Sequence, residues 1–247
     1  NKCSKKYFDV LIVNSSNKLL VVLSALSSWI LNKSFLVIDD ALPQSIKKNY
    51  QNMFESPLVV NNKDIDWILK SKPNYNPLNH QSNVFGSYVL TSGTTSNPKV
   101  VFSTIDNYLY SANFFNNFVS GVDLFVSISS LSSIAGLTFL LSTLFNNKTV
   151  LIDDYNFDFS NTNLLNISNL LGYKPKCFTF LPPQILSNKL QKKEIKEDFF
   201  PLILTGSDKV TNIFSKEIKI VNCYGCSETN GACAYFFIDK KYKTTPI

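Results

Sequence analysis

The densest polar chemistry of the chain lies in Thr91-Ser92-Gly93-Thr94-Thr95-Ser96-Asn97-Pro98-Lys99. Hydroxyls and the amides exposed around a glycine can wrap phosphate oxygens, and a lysine adds a point charge. The spacing is not that of a Walker A loop, because G-x-x-x-x-G-K-[ST] is absent. Composition alone equally describes a polar surface loop. The rest of the inventory narrows the chemistry. All 24 basic residues are lysine, so no guanidinium fork exists to clamp a carboxylate or read guanine. His80 is the only histidine, which excludes a multi-histidine metal centre and leaves a Ser-His-Asp triad a single candidate base. It sits between Asn79 and Gln81 in a polar stretch, where a solvated ring is the plainer reading. Cys223-x-x-Cys226, with Cys233 nearby, offers metal or redox chemistry, but no fourth-ligand pattern accompanies it.

Elements that position such loops are legible in the apolar rhythm. The chain has 247 residues, 45% hydrophobic and 17% charged, which excludes disorder and suits one large domain or two lobes. Strands are expected at Phe8–Val13, Phe35–Ile38, Pro57–Val60, Gly86–Leu90 and Val100–Phe102. Helices are expected at Lys18–Leu31, Pro43–Phe54 and Asp64–Lys70, and a Ser103–Asp106 capping box opens another to about Asn117. Ser71–Asn83 is a loop by composition. The second half repeats the pattern. Its strands are Leu124–Ile128, Thr149–Ile152, Cys177–Phe180, Leu202–Leu204 and Ile218–Val221. Its helices are near Ile134–Leu144, Asn161–Leu171, Pro183–Leu190 and Lys209–Lys216. Strands separated by helices imply an α/β fold: two lobes of parallel or mixed sheet flanked by helices, residues 1–117 and 118–247. Ligand sites in such sheets lie at the carboxyl ends of the strands.

Charge and apolar length exclude several partners. The net charge is +6, and the lysines of Lys189–Glu197 alternate with acids, as on a solvated helix face; no nucleic-acid stripe is expected. The most apolar stretch, Leu19–Leu31, is broken by serines and too short to span a bilayer. Five cysteines do not make a disulfide framework, so a reducing, cytoplasmic compartment is expected.

The ordered string Tyr88-Val89-Leu90-Thr91-Ser92-Gly93-Thr94-Thr95-Ser96-Asn97-Pro98-Lys99 resembles the phosphate-binding signature of adenylate-forming enzymes, Y-T-S-G-T-T-G-x-P-K-G. Ser96 and Val100 stand where that family usually has glycine. Asn222-Cys223-Tyr224-Gly225-Cys226-Ser227-Glu228-Thr229 resembles the same family's N-x-Y-G-x-T-E motif, with Ser227 for threonine, about 130 residues further on. Phe180-Leu181-Pro182-Pro183 is similar to the "TLPP" turn of nonribosomal peptide synthetase adenylation domains. Gly136 and Leu137 also fit an acyl-CoA ligase pattern.

The resemblance implies ATP and Mg²⁺ as cofactors and a small carboxylic acid as substrate, activated as its acyl-adenylate. The acyl group then passes to a thiol, either the phosphopantetheine of a carrier protein or CoA. It implies that Thr91, Ser92, Gly93, Thr94, Thr95 and Lys99 hold phosphates, with Thr95 and Glu228 toward the metal. Gly206, Ser207, Asn222, Cys223, Tyr224 and Gly225 then hold adenosine, and Ser227 contacts the α-phosphate. Lys99, Ser227 and Glu228 are the implied catalytic residues. The acyl pocket is expected from Leu131, Ala135, Phe180 and Cys223. Ser127–Gly136 contains no acid to anchor an α-ammonium group, which points to an apolar or aryl acid. The family's mobile C-terminal subdomain has no counterpart in these residues. The chain is therefore expected to be part of a larger enzyme, weakly active alone. A degenerate, non-catalytic adenylation fold is the alternative motivated by Ser96 and Val100.

Overall fold

Apolar, β-branched runs set the first strands of the computed structural model, which describes residues 8–70, 84–91, 99–117, 119–153, 156–210 and 213–239. Val10-Leu11-Ile12-Val13 opens β1 (Val10–Asn14), and all four side chains are at most 2% exposed. A strand buried on both faces needs parallel neighbours and covering helices. The chain supplies them as α1 (Lys18–Ile30), β2 (Ser34–Ile38), α2 (Gln44–Gln51) and β3 (Pro57–Asn61). Asn17 starts α1 by accepting from the Leu20 amide at 3.0 Å, an N-cap worth about 1 kcal/mol. A short 3₁₀ turn leads into α3 (Ile65–Lys70). β4 (Gly86–Thr91) and β5 (Lys99–Thr104) then form an antiparallel hairpin, so the sheet order is β3-β1-β2-β4-β5.

The helix α4 (Ile105–Asn116) is capped one residue later than the sequence suggested. Thr104 Oγ1 accepts from the Asn107 amide at 3.2 Å, and the Thr104 amide donates to Asn107 Oδ1 at 2.9 Å. The compact units divide within this helix. Residues 1–107 and 131–133 form one unit; 108–130 and 134–247 form the other. The sequence suggests a boundary at 117, but most of α4 belongs with the second unit, where Phe115 meets Phe139 and Phe178 at 5.5 and 5.7 Å.

The second unit is built from β6 (Leu124–Ser127), α5 (Ile134–Phe145), β7 (Thr149–Ile152), α6 (Asn161–Leu171), β8 (Cys177–Phe180) and α7 (Pro183–Gln191). β9 (Leu202–Gly206), β10 (Lys219–Cys226) and β11 (Gly231–Phe237) complete it. Its sheet runs β11-β10-β9-β8-β6-β7, parallel except for β11 against β10. Both faces are packed. Ile203 and Ile220 join one core with Leu124, Val126 and Phe200, while Phe178 meets Phe125 and Phe115 at 5.0 and 5.7 Å. Burying each such side chain contributes about 1.5–3 kcal/mol.

The mixed α/β architecture with flanking helices is as expected. Two local expectations are corrected. No helix covers the described residues of Lys209–Lys216; Val210 and Ile213 instead anchor irregular chain in the core at 2% and 3% exposure. The lysine-rich run is not one helix face, because α7 ends at Gln191. Lys189 lies 3.0 Å from Glu194 and sits 4.6 Å over the Phe159 ring, its stem packed on the core. Among the described residues no helix is long and apolar enough to cross a membrane.

Candidate functional site

The first unit places two motif residues against each other where β4 ends and β5 begins. Thr91 and Lys99 are register partners, and Thr91 Oγ1 donates to the Lys99 carbonyl at 3.4 Å. Lys99 is exposed and Thr91 half-buried. The hairpin therefore launches and receives the hydroxyl-rich loop. Ser92, Gly93, Thr94 and Thr95 lie outside the described residues, as does His80.

The second unit holds a cleft at the carboxyl ends of β8, β9 and β10. Phe180 ends β8, Gly206 ends β9, and Cys223 pairs with Gly206. One wall is α5, contributing Ile134, Ala135, Thr138 and Phe139. The opposite wall is Cys223, Gly225 and Cys226, with Gly231 and Ala232 beside them; Phe180 and Ser207 also line it. The space is about 420 Å³ including its open mouth. Phe180 is held by Phe139, whose ring centroid is 5.0 Å away. Among the described residues none of the lining side chains is charged.

Backbone approach shapes this wall. A Cβ on Gly206 would stand 2.1 Å from the Cys223 carbonyl oxygen, and its φ of +152° lies where only glycine is comfortable. Ser207 follows with φ +69°, a strained conformation of the kind that clusters at ligand sites. A Cβ on Gly225 would stand 1.8 Å from the Gly231 carbonyl oxygen, so this motif position admits no side chain.

The motif itself runs along β10 into the turn before β11. Asn222 is buried beside Thr205, whereas Tyr224 is 55% exposed and its ring is open to a planar ligand. Glu228 is exposed and Ser227 half-buried. Thr229 Oγ1 accepts from the Cys226 amide at 3.0 Å and donates to the Gly231 carbonyl at 2.7 Å, which closes the turn. A β-bulge falls here: Tyr224 pairs with Ala234 and Gly225 with Ala232, leaving Cys233 unpaired.

Of the residues expected in the acyl pocket, Ala135, Phe180 and Cys223 line the cleft. Leu131 does not. It is buried at 3% exposure, but the Leu131–Ser133 segment leaves β6 before α5 begins and groups with the first unit. Sequence reasoning missed Ile134, Thr138 and Phe139, although with Ala135 they fall on one face of a helix by their spacing.

Cys177 and Cys223 are buried. Burial pushes the Cys223 thiol up to about 12, and burial together with the Asp123 charge does the same to Cys177. Cys226 and Cys233 are exposed. A thiol reagent at pH 8 is expected to label Cys226 and Cys233 in the native protein, and Cys177 and Cys223 only after unfolding. Peptide mapping of the label checks this; native labelling of Cys223 would mean that the cleft wall is open.

The second unit is thus an α/β sheet with a cleft at its strand ends, beside an exposed tyrosine and a carboxylate-bearing turn. The family model of AMP-binding enzymes matches residues 39–247, and the chain belongs to that family. No curated protein matches the sequence. Among solved structures the fold is similar to o-succinylbenzoate CoA synthetase of Bacillus subtilis bound to a product analogue. That match has a TM-score of 0.76 at 17% identity and covers 95% of this chain and 52% of that one. The same enzyme in complex with ATP and magnesium matches at TM-score 0.71 and 17% identity, over 95% and 53%. The N-terminal subdomain of Klebsiella oxytoca NpsA with 3-hydroxybenzoyl-AMSN matches at 0.70 and 13% identity, over 94% and 63%. The chain thus spans about half the length of the first of these, 52%.

Proposed function

We propose that this chain forms the nucleotide- and acid-binding part of a ligase that activates a carboxylic acid with ATP. The observation that carries the reading is the sharing of β10: Cys223 and Gly225 wall an uncharged cleft while Tyr224 and Glu228, on the same strand and turn, face solvent. An acid in the cleft would reach a nucleotide stacked on Tyr224. Its carboxylate oxygen attacks the α-phosphorus, an acyl-adenylate forms, and pyrophosphate leaves. A thiol then attacks the acyl carbon and AMP leaves. The CoA synthetase similarity supports CoA as that thiol; the Phe180–Pro183 resemblance supports a carrier-protein phosphopantetheine.

The donor set fits Mg²⁺ held mainly by the nucleotide. Among the described residues no group of three or more His, Cys, Asp or Glu could hold a metal ion. One carboxylate plus substrate phosphates is a common magnesium arrangement, and the motif resemblance makes Glu228 that carboxylate; Thr95, the hydroxyl that the resemblance assigns to the metal, lies outside the described residues. Bound there, the ion neutralises phosphate charge. Lys99 adds a second positive charge, and Ser227 donates its hydroxyl toward the α-phosphate. Catalysis on this reading is positioning and charge stabilisation.

The substrate class follows from the cleft's lack of charge. An α-ammonium group buried there would lose its hydration without gaining a carboxylate partner. ATP–pyrophosphate exchange by the full-length protein is expected to favour apolar or aryl acids over ordinary α-amino acids. A panel pairing each α-amino acid with its des-amino analogue checks this. Preference for the amino acid would refute the assignment of the cleft, and no exchange with any acid would favour a non-catalytic adenylation fold.

A further inference from the structure

Tyr224, Gly225, Cys226, Glu228 and Thr229 are all exposed, and Ser227 is half-buried. Asn230, next in the chain, is 5% exposed. Its φ is +55°, in the left-handed region that asparagine tolerates better than most residues. Three of its four polar groups go to three different elements, and the buried Oδ1 has no hydrogen-bond partner among the described residues. The amide N–H donates to the Ser227 carbonyl at 3.1 Å, across the turn that carries Glu228. The carbonyl accepts from Thr138 Oγ1 on α5 at 3.2 Å. The side-chain Nδ2 donates to Ser111 Oγ on α4 at 3.0 Å. Strand pairing ends at Cys226 and Gly231, so these bonds fix residues 227–230 to two helices where the ladder no longer can.

We propose that Asn230 is a positioning residue for the nucleotide reaction. Through Ser111 and Thr138 it sets where Ser227 and Glu228 stand, and hence where the phosphates and their metal ion are met. This rests on the adenylating function proposed above. A misplacement of about 1 Å at a reacting centre costs on the order of 100-fold in rate. None of residues 227–230 lines the cleft, and Phe180 and Ala135, which do, belong to β8 and α5, so the acid is expected to feel the Asn230 side chain less than the nucleotide does.

The test uses the full-length protein, with Asn230→Gly and Ser111→Ala assayed by pyrophosphate exchange as ATP, Mg²⁺ and acid are each varied. Glycine keeps the left-handed backbone and removes only the amide anchor. Both variants are expected to raise the ATP KM and the Mg²⁺ needed for half-maximal rate, Asn230→Gly by about tenfold and Ser111→Ala by less. The acid KM is expected to stay within about twofold of the parent's, and the melting temperature within a few degrees. A merely structural role would lower the melting temperature or scale the rate without moving the ATP and Mg²⁺ dependences, and would overturn the proposal. Unchanged dependences in folded variants of an active parent overturn it as well, and leave the adenylating function standing. A parent that neither exchanges pyrophosphate nor binds a fluorescent ATP analogue removes that function and this role together.

Discussion

Replacing Lys99 with alanine is expected to lower ATP–pyrophosphate exchange by the full-length protein about 10- to 100-fold. The range is the loss of one charge-assisted contact, about 1.5–3 kcal/mol, at 1.4 kcal/mol per tenfold. Lys99 is the basic residue at the mouth of the hydroxyl-rich loop, and the chain has no arginine to stand in for it. Its backbone is locked by the antiparallel pairing of Lys99 with Thr91, so the substitution removes a charge without disturbing the hairpin. The loss is expected in the ATP dependence, with the melting temperature unchanged. An unchanged exchange rate would remove Lys99 from the phosphate site.

Glu228→Gln is the second large effect. The change keeps the shape of the side chain and removes its charge. Exchange is expected to fall more than tenfold, the size of one charge-assisted contact of about 1.5–3 kcal/mol. The Mg²⁺ concentration needed for half-maximal rate is expected to rise with it. Glu228 is exposed in a turn already closed by Thr229, so folding is not expected to suffer. If neither the rate nor the Mg²⁺ dependence moves, the carboxylate does not meet the metal.

The central parallel strands were legible because they are short apolar runs buried on both faces, as at Val10–Val13 and Cys177–Phe180. What escaped is where apolar spacing misleads. Val210 and Ile213 stand three apart, as on a helix, yet both are buried in the core and neither lies in a helix. β11 escaped because Gly231-Ala232-Cys233-Ala234 is a run of small residues without alternation, and its strand character comes from pairing with β10. Both motif strings stand out in the sequence because each is continuous. The supports of the second do not. Ser111, Thr138 and Asn230 meet across 119 and 92 residues of sequence, and no local pattern announces such a meeting. Leu131 was placed by resemblance to a family segment that follows β6, to within two residues, and it is not among the residues that line the cleft.

The unpaired Cys233 changes what can be exchanged between relatives. Cys223 and Gly225 share one side of β10, and their partners on β11 are Tyr235 and Ala232. Those partners are three apart rather than two, so the extra residue inverts the in–out order along β11. Single letters in the motif can drift, as threonine to serine at 227 illustrates, because side-chain chemistry alone changes. Length cannot: adding or deleting one residue between 224 and 234 would turn Ala232 out of the cleft wall. A graft of residues 222–229 from another family member is therefore expected to work only when the donor's β11 travels with it.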